Sequence, residues 1–230
     1  MKKRLMAAVL STVMAATMLV TGSISVQAAD AAAANDPAVE LIFTSVSVSG
    51  DSHTEAMYAF ADKVEELSGG SVTCKCYDNG SLFSSENEFD ALLNGDADLA
   101  YISFPTIATQ IPSYSMFASG YLFSSYEHMT SVLNGEIGTE KIRPEIEEKL
   151  NIKPLSSFYL GSRVINTREK EVNCYDDMSG LLLRMPNSEA WLFLGEALGA
   201  NPTPLSFSEL YTALQTGAVD AQDNPLPSIE

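Results

Sequence analysis

Residues 180–205 read GLLLRMPNSEAWLFLGEALGANPTPL and predict a strand, a helix and a second strand. The apolar run at 181–185 predicts a buried strand, residues 189–198 predict a helix that stops at a glycine, and 203–205 predict the next strand. Strands joined through a helix in this way pair in parallel and form a βαβ unit. This stretch therefore places the chain in the α/β class.

The same alternation of short apolar runs and helical periods extends in both directions along the chain. Strands are predicted at 39–48, 71–77, 98–103, 153–160 and 163–167, and helices at 52–67, 86–93, 127–133, 140–150 and 206–217. Two of the helices open with the pattern of a capping box, Ser52 with Glu55 and Ser206 with Glu209. Strands that alternate with helices predict mostly parallel sheets.

An internal repeat divides the chain into two similar parts. A helix, its glycine stop and an aspartate that opens the next strand recur after 122 residues: Phe89, Ala91, Leu92, Gly95 and Asp98 match Tyr211, Ala213, Leu214, Gly217 and Asp220. The repeat predicts lobe I at 39–160 and lobe II at 161–230, with a ligand cleft between them. Ser103 and Asn224 would then lie at comparable strand ends, each near that cleft.

The N-terminus has the layout of a secretory signal peptide. A basic start at 2–4 precedes the uncharged run 5–20, and Val26-Gln27-Ala28 offers a cleavage site. A retained membrane anchor is the alternative, but the apolar run is shorter than the roughly 20 residues that span a bilayer. We therefore expect residues 1–28 to be removed on export and residues 29–38 to form a disordered lead-in. Ser23 stands where a lipoprotein signal would have its cysteine, which excludes a lipid anchor there.

The charge of the exported chain limits its partners. The full sequence has a net charge of −17, and removal of residues 1–28 takes away three basic residues and no acidic one, leaving −20. Such a surface repels nucleic acid and anionic lipid. The apolar fraction of 46% is that of a folded globular protein. We expect a protein outside the cytoplasm that has no nucleic-acid partner.

Arg184 is the strongest candidate for ligand binding. It lies at the carboxyl end of the predicted strand 181–185, just before the start of a helix. Open α/β sheets bind ligands beyond the carboxyl ends of their strands, and helix N-termini favour anions. A guanidinium is permanently charged and can hold a carboxylate through two parallel hydrogen bonds. The alternative is a structural ion pair between Arg184 and one of the 30 acidic residues.

Two further residues have a weaker case. Arg163 has a similar setting near the predicted crossing between the lobes, although a structural role explains it as well. Asn224 follows a predicted strand and precedes Pro225, so its amide could project into the cleft or simply form a turn.

No catalytic pattern is visible in the sequence. It contains no Gly-x-Ser-x-Gly, Gly-x-x-x-x-Gly-Lys or Gly-x-Gly-x-x-Gly motif. His53 and His128 lack the spacing of metal ligands, and no histidine or second cysteine pair completes a metal site around Cys74 and Cys76. We expect no catalytic residue, no bound metal and no cofactor.

From Gly161 onward the sequence resembles the solute-binding proteins of tripartite ATP-independent periplasmic (TRAP) transporters. The segment GLLLRMPNS at 180–188 resembles the Gly-Leu-Lys-x-Arg-x-Pro-Asn element of that family. ALGANPTPLSFSELYTALQTG at 197–217 matches more closely, and AVDAQDNP at 218–225 continues the match. The resemblance departs at Ala221 and Asp223, where the family has glycine and glutamate.

The resemblance implies a two-lobed, periplasmic-binding-protein-like fold that closes on a small organic acid. Arg184 would form the salt bridge with the ligand carboxylate, Arg163 and Asn224 would bind the rest of the ligand, and Ser103 would contact it from the first lobe. The protein would act in the periplasm as a monomer, without enzymatic activity, and would deliver its ligand to the membrane subunits of a transporter. Family members extend beyond residue 230, so we expect the sequence to be C-terminally truncated.

Three other functions share the same lobes. The protein could serve an ATP-driven importer, sense a ligand for a membrane kinase, or act as an exported enzyme. The Arg-x-Pro-Asn and Phe-Ser-Glu-x-Tyr elements argue against the first, and the lack of a nucleophile–base pair argues against the last.

Overall fold

The structure, a computed structural model, describes residues 38–229, and its strands form two sheets. The first sheet contains β1 (Val39–Thr44), β2 (Val72–Tyr77) and β3 (Leu99–Ala100), in the order β2-β1-β3. All of its pairings are parallel. The predicted signal peptide at 1–28 and residues 29–37 of the predicted lead-in lie outside the described residues.

The second sheet has one more strand, which runs the other way. It contains β4 (Arg163–Thr167), β5 (Leu182–Met185), β6 (Asn201–Pro204) and β7 (Ala221–Pro225), in the order β4-β7-β5-β6. Strands β5, β6 and β7 are parallel, whereas β4 pairs antiparallel with β7. Both sheets are thus mostly parallel, which confirms the predicted α/β class. The division of the chain into lobes at residue 160 stays a prediction.

Helices connect the strands and cover the sheets. They are α1 (Ser52–Ser68), α2 (Glu88–Asn94), α3 (Phe104–Ile107), α4 (Tyr126–Leu133), α5 (Arg143–Leu150), α6 (Glu189–Ala197) and α7 (Phe207–Thr216). A 3₁₀ helix follows α3 at Pro112–Ala118, and a π-helical turn at Gly138–Ile142 leads into α5. Among residues 38–229 no helix is long and apolar enough to cross a membrane.

The internal repeat is present in the strand register. Phe43 pairs with Leu99 in the first sheet, and Leu183 pairs with Ala221, 122 residues after Leu99, in the second. The repeated aspartates make the same contact: Asp98 Oδ2 accepts a hydrogen bond from the amide of Ile42 at 2.7 Å, and Asp220 Oδ2 accepts one from Leu182 at 3.0 Å.

The glycines of the repeat have the same role in both parts. Gly95 and Gly217 end their helices in the left-handed conformation, at φ of 80° and 79°. A residue with a side chain rarely adopts this conformation, so a glycine lets the helix stop and the chain turn into the next strand. The strands β1, β2 and β3 therefore have the same arrangement as β5, β6 and β7.

The buried apolar side chains form separate clusters. The second sheet packs on α6 through a cluster of buried side chains: Met178, Leu181, Leu183, Met185, Trp191, Ala200 and Ala221. A separate cluster joins α2, α3, the 3₁₀ helix and α5: Phe89, Ile107, Ile111, Tyr114 and Ile146. The first cluster therefore packs β5 and the start of β7 against α6.

The structure corrects three strand predictions, the first of which is that of 39–48, because β1 ends at Thr44 and not at Val48. No strand forms at 153–160, where the side chain of Asn134 binds the backbone instead: Nδ2 donates to the Ser157 carbonyl at 2.8 Å and Oδ1 accepts from the Ser157 amide at 2.9 Å. The strand predicted at 98–103 is reduced to β3, because α3 begins at Phe104 with Pro105 in its first turn.

The structure also corrects both capping boxes. The carboxylate of Asp51, not the hydroxyl of Ser52, accepts the amide of His53 at the start of α1. Helix α7 starts after Ser206 as predicted, but the Ser206 hydroxyl lies 3.1 Å from that of Ser208 and makes no cap.

Candidate functional site

Arg184 is buried at the carboxyl end of β5, with only 2% of its surface exposed. Its Nε donates to the carbonyl oxygen of Leu205 at 2.8 Å, and its guanidinium carbon lies 5.7 Å from the ring centre of Phe207. Leu205 follows β6, and Phe207 is the first residue of α7. The loop between β6 and α7 therefore fixes the plane of the guanidinium.

The outer edge of this guanidinium has no protein partner. Among residues 38–229 no carboxylate lies within ion-pair distance of Arg184, and neither Nη nitrogen donates to a protein acceptor. Neither nitrogen is sealed from solvent. Burial, with the positive charge of Arg163, lowers the pKa of Arg184 to about 10, and Glu86 and Asp223 act in the opposite direction. Arg184 is still cationic at neutral pH, and neither of its two Nη nitrogens has a hydrogen-bond partner among residues 38–229.

Arg163 opens β4 and is held by the neighbouring strand β7. Its Nε forms an ion pair with Asp223 Oδ2 at 3.0 Å, and its Nη2 donates to the Asp223 carbonyl and, at 3.1 Å, to Asn224 Oδ1. The guanidinium carbon lies 4.6 Å from the ring centre of Trp191. Arg163 is thus oriented by Asp223.

Asn224 belongs to the same cluster. Only 6% of its surface is exposed, its Oδ1 accepts from Arg163, and its Nδ2 donates to Gln222 Oε1 at 2.8 Å. The structure therefore brings Arg163 and Asn224 into contact, and Arg163 is near enough to Arg184 to affect its pKa.

Ser103 does not join this cluster. It is exposed at the start of α3, its Oγ lies 2.8 Å from Thr106 Oγ1, and it makes no hydrogen bond with Arg184, Arg163 or Asn224. Strand β3 ends three residues before Ser103, whereas Asn224 lies inside β7. The expectation that the two residues occupy comparable strand ends is wrong, because α3 begins so soon after β3.

Sequence reasoning missed the turn that precedes α2. Ser85 Oγ accepts from the amide of Phe207 at 3.5 Å and donates to Glu86 Oε1 at 2.9 Å. Burial raises the pKa of Glu86, but hydrogen bonds from Ser85, Ser84 and Ser206 among others outweigh it and leave the pKa below its usual value. The 122-residue offset makes Ser85 the counterpart of Phe207, but an offset marks equivalent positions and gives no signal of a contact between them.

Two cavities lie elsewhere on the surface. One, of about 240 Å³, is bounded by the start of α1, Tyr101 and residues 157–159, and the other, of about 250 Å³, by residues 168–170 and 179–181 with Asp220. Neither is lined by Arg184, Arg163 or Asn224. Within the described part of the chain no group of three or more His, Cys, Asp or Glu side chains could hold a metal ion.

Comparison with known proteins yields one family. The model of the family described as bacterial extracellular solute-binding protein, family 7, matches residues 43–230. The sialic acid-binding periplasmic protein SiaP of Vibrio cholerae is 35% identical over 170 residues, which are 74% of this chain and 52% of that protein. The chain thus spans about half the length of this relative.

Solved structures agree with this assignment. A TRAP periplasmic solute binding protein from Roseobacter denitrificans, with bound 3-deoxy-D-manno-oct-2-ulosonic acid, is 40% identical with a TM-score of 0.76, over 84% of this chain and 63% of that one. A sugar acid binding protein from Advenella mimigardefordensis, in complex with galactonate, is 30% identical with a TM-score of 0.79, over 85% and 62%. The chain belongs to family 7 of the bacterial extracellular solute-binding proteins.

Proposed function

We propose that this protein captures a small organic acid outside the cytoplasm and delivers it to a TRAP-type secondary transporter. The observation that carries the proposal is the buried guanidinium of Arg184, whose Nη edge has no partner among the described residues. A buried cation without a counter-charge is costly, and a carboxylate that fits both N–H groups removes that cost.

The surroundings of Arg184 suit carboxylate binding. Nε is already bound to the Leu205 carbonyl and Phe207 packs against the guanidinium, so little side-chain freedom is lost when a ligand arrives. A hydrogen bond to a charged group contributes about 1.5–3 kcal/mol net. One bidentate contact at this position therefore supplies a large part of the affinity for a small acid.

The other predicted residues take supporting roles in this proposal. Arg163 keeps Nη1 available, since its Nε and Nη2 are engaged by Asp223 and Asn224. Asn224 steadies Arg163 and offers its amide to the ligand. Ser103 would contact the ligand from the first lobe when the two lobes close on it.

The relatives support the proposed class of ligand and the proposed periplasmic location. SiaP of Vibrio cholerae is named for sialic acid, and the two solved structures hold sugar acids, all of which carry a carboxylate. We infer that the protein works in the periplasm as a monomeric binding protein without catalytic activity, and that its macromolecular partners are the membrane subunits of the transporter.

A thermal-shift titration tests this function. The protein, produced without residues 1–28, is melted with a panel of organic acids and with matched uncharged analogues such as the corresponding amides. Binding to the folded state raises its stability by about 2.7 kcal/mol at a hundredfold excess over Kd. We expect at least one acid to raise the melting temperature while its amide does not. A melt insensitive to every acid would contradict the proposal and favour an uncharged ligand or a sensor.

A further inference from the structure

Two equivalent turns face each other beside Arg184. The first is Ser84–Glu86, which leads into α2, and the second is Ser206–Phe207, which leads into α7; we call them the facing turns. They meet through the hydrogen bond from the Phe207 amide to Ser85 Oγ, and Phe207 in turn packs on Arg184. The carboxylate of Glu86 is held by the Ser85 hydroxyl at 2.9 Å. Glu86 is therefore an acidic group on the first-sheet side of the space around Arg184.

Two cations, Arg163 and Arg184, and two acidic groups, Asp223 and Glu86, carry the charges around this space. Arg163 is paired with Asp223 at 3.0 Å, so it brings little unpaired positive charge. Arg184 has no carboxylate within ion-pair distance among residues 38–229, although Glu86 and Asp223 are the acidic groups whose charges it experiences. One ligand carboxylate finds an unpaired cation at Arg184. A second carboxylate would find none, and would meet Glu86.

We propose that Glu86 is a specificity residue that makes the site select a hydroxylated monocarboxylate, such as a sugar acid, over a dicarboxylate. The inference rests on the proposed function, because it assigns Glu86 to the ligand bound at Arg184. A carboxylate accepts hydrogen bonds from hydroxyl groups and repels a second carboxylate. Interfaces commonly gain specificity in this way, by opposing the wrong partner as well as by binding the right one.

The hydrogen bonds around Glu86 make it suited to this role. Burial raises the pKa of Glu86, but hydrogen bonding, with the Ser85 hydroxyl donating at 2.9 Å, outweighs it and holds the pKa below its usual value. The side chain is partly buried, so its charge is less screened than that of an exposed acid. The ligand hydroxyls would complete the set of donors around a carboxylate that is already positioned.

The test measures two affinities by isothermal titration calorimetry, for galactonate and for succinate, on the full-length exported protein and on Glu86→Gln. Glutamine keeps the size of the side chain and one acceptor but removes the charge. We expect the wild-type protein to favour galactonate, and Glu86→Gln to reduce the ratio of succinate Kd to galactonate Kd about tenfold, as expected for one charged contact. Asp90→Asn, an exposed position on α2, removes the same charge and should leave the ratio unchanged.

Each outcome separates this inference from the proposed function. A ratio that is the same in Glu86→Gln and in the wild-type protein, with both acids bound, overturns the role of Glu86 and leaves carboxylate capture by Arg184 standing. A wild-type preference for succinate also overturns it. Failure of the wild-type protein to bind any acid of the wider panel contradicts the proposed function itself.

Discussion

The two sheets have the same arrangement of three parallel strands but different side chains at one equivalent position, near the carboxyl ends of β1 and β5. Thr44 pairs with Ala100 at the end of β1, and Arg184 pairs with Gln222 at the same point of β5. Both are almost fully buried, at 0% and 2% exposed. Thr44 leaves its hydroxyl without a hydrogen bond, whereas Arg184 reaches the Leu205 carbonyl and keeps an open edge. The same strand end is thus a packed position in one sheet and the proposed ligand anchor in the other.

A second difference lies on the helices that follow. Leu210 of α7 belongs to an apolar cluster, while its counterpart on α2 is Glu88, which is only 3% exposed. Burial raises the pKa of Glu88 to about 8, against an opposing effect of the Thr44 hydroxyl. Even so, Glu88 Oε1 and Thr44 Oγ1 both lack a hydrogen bond with good geometry. Helix α2 therefore contains a carboxyl group whose pKa burial raises to about 8, so that it is mostly protonated at neutral pH.

Replacing Glu88 on α2 by leucine, the residue at the equivalent position of α7, should change stability more than any other substitution proposed below. Glu88 keeps its proton up to about pH 8 in the folded protein but releases it near pH 4.5 when unfolded, so the stability of the wild-type protein falls as pH rises between these values. Glu88→Leu removes that loss, and we expect it to raise the free energy of unfolding by on the order of 3 kcal/mol at neutral to mildly alkaline pH, with a smaller gain in acid.

Urea unfolding of both proteins across this pH range measures the effect. Asp90→Asn, exposed on the same helix, is the matched control and should follow the wild-type curve. A Glu88→Leu gain of equal size at every pH would show that Glu88 is ionised in the folded protein and would contradict the account.

The next effect concerns β4, which has no counterpart among the strands that residues 38–229 contribute to the first sheet. Arg163→Met leaves Asp223, whose side chain is 5% exposed, without its cation. We expect the free energy of unfolding to fall by about 2 kcal/mol, less than for a fully buried pair because Arg163 is 29% exposed. In the double variant with Asp223→Asn most of the loss should be recovered. Urea unfolding of the four proteins gives the coupling energy, and strict additivity of the two single changes would contradict the pairing.

The smallest effect tests whether the repeated aspartate contributes equally to the stability of the protein in both sheets. Asp98→Ala and Asp220→Ala each remove one hydrogen bond to the amide of a neighbouring strand. We expect each to lower the free energy of unfolding by about 1 kcal/mol, with nearly equal values, while Asp96→Ala, an exposed neighbour, should be close to neutral. A large loss at one aspartate and none at the other would show that the two sheets depend on different contacts.

The sequence predicted those parts of the fold that depend on local pattern. Gly95 and Gly217 end their helices, as predicted, because the left-handed conformation there favours glycine. The apolar run around Arg184 forms β5, as predicted, because a buried strand needs consecutive apolar residues. Arg184 could be placed at the carboxyl end of a strand for the same reason. The contact of Arg184 with Leu205 and the lack of a partner for its Nη nitrogens among residues 38–229 could not be predicted, because they depend on how a loop 21 residues away folds back.

The predictions that failed depend on contacts between distant segments. Residues 153–160 have the composition of a strand, but a strand needs a neighbour, and the Asn134 side chain takes the Ser157 backbone instead. Ser52 and Asp51 are both good cap residues, so the sequence alone could not decide between them. The role of Glu86 rests on a contact across 122 residues and becomes visible only once the facing turns are in place.

Arg184→Lys should bind more weakly than the wild-type protein to the acid that raises the melting temperature in the thermal-shift panel. Lysine keeps the charge but cannot form two parallel hydrogen bonds. Calorimetric titration should show a Kd raised about 10- to 100-fold, while Arg168→Lys, at an exposed arginine, should bind like the wild-type protein. A correctly folded Arg184→Lys with an unchanged Kd would contradict the assignment of Arg184 as the carboxylate anchor.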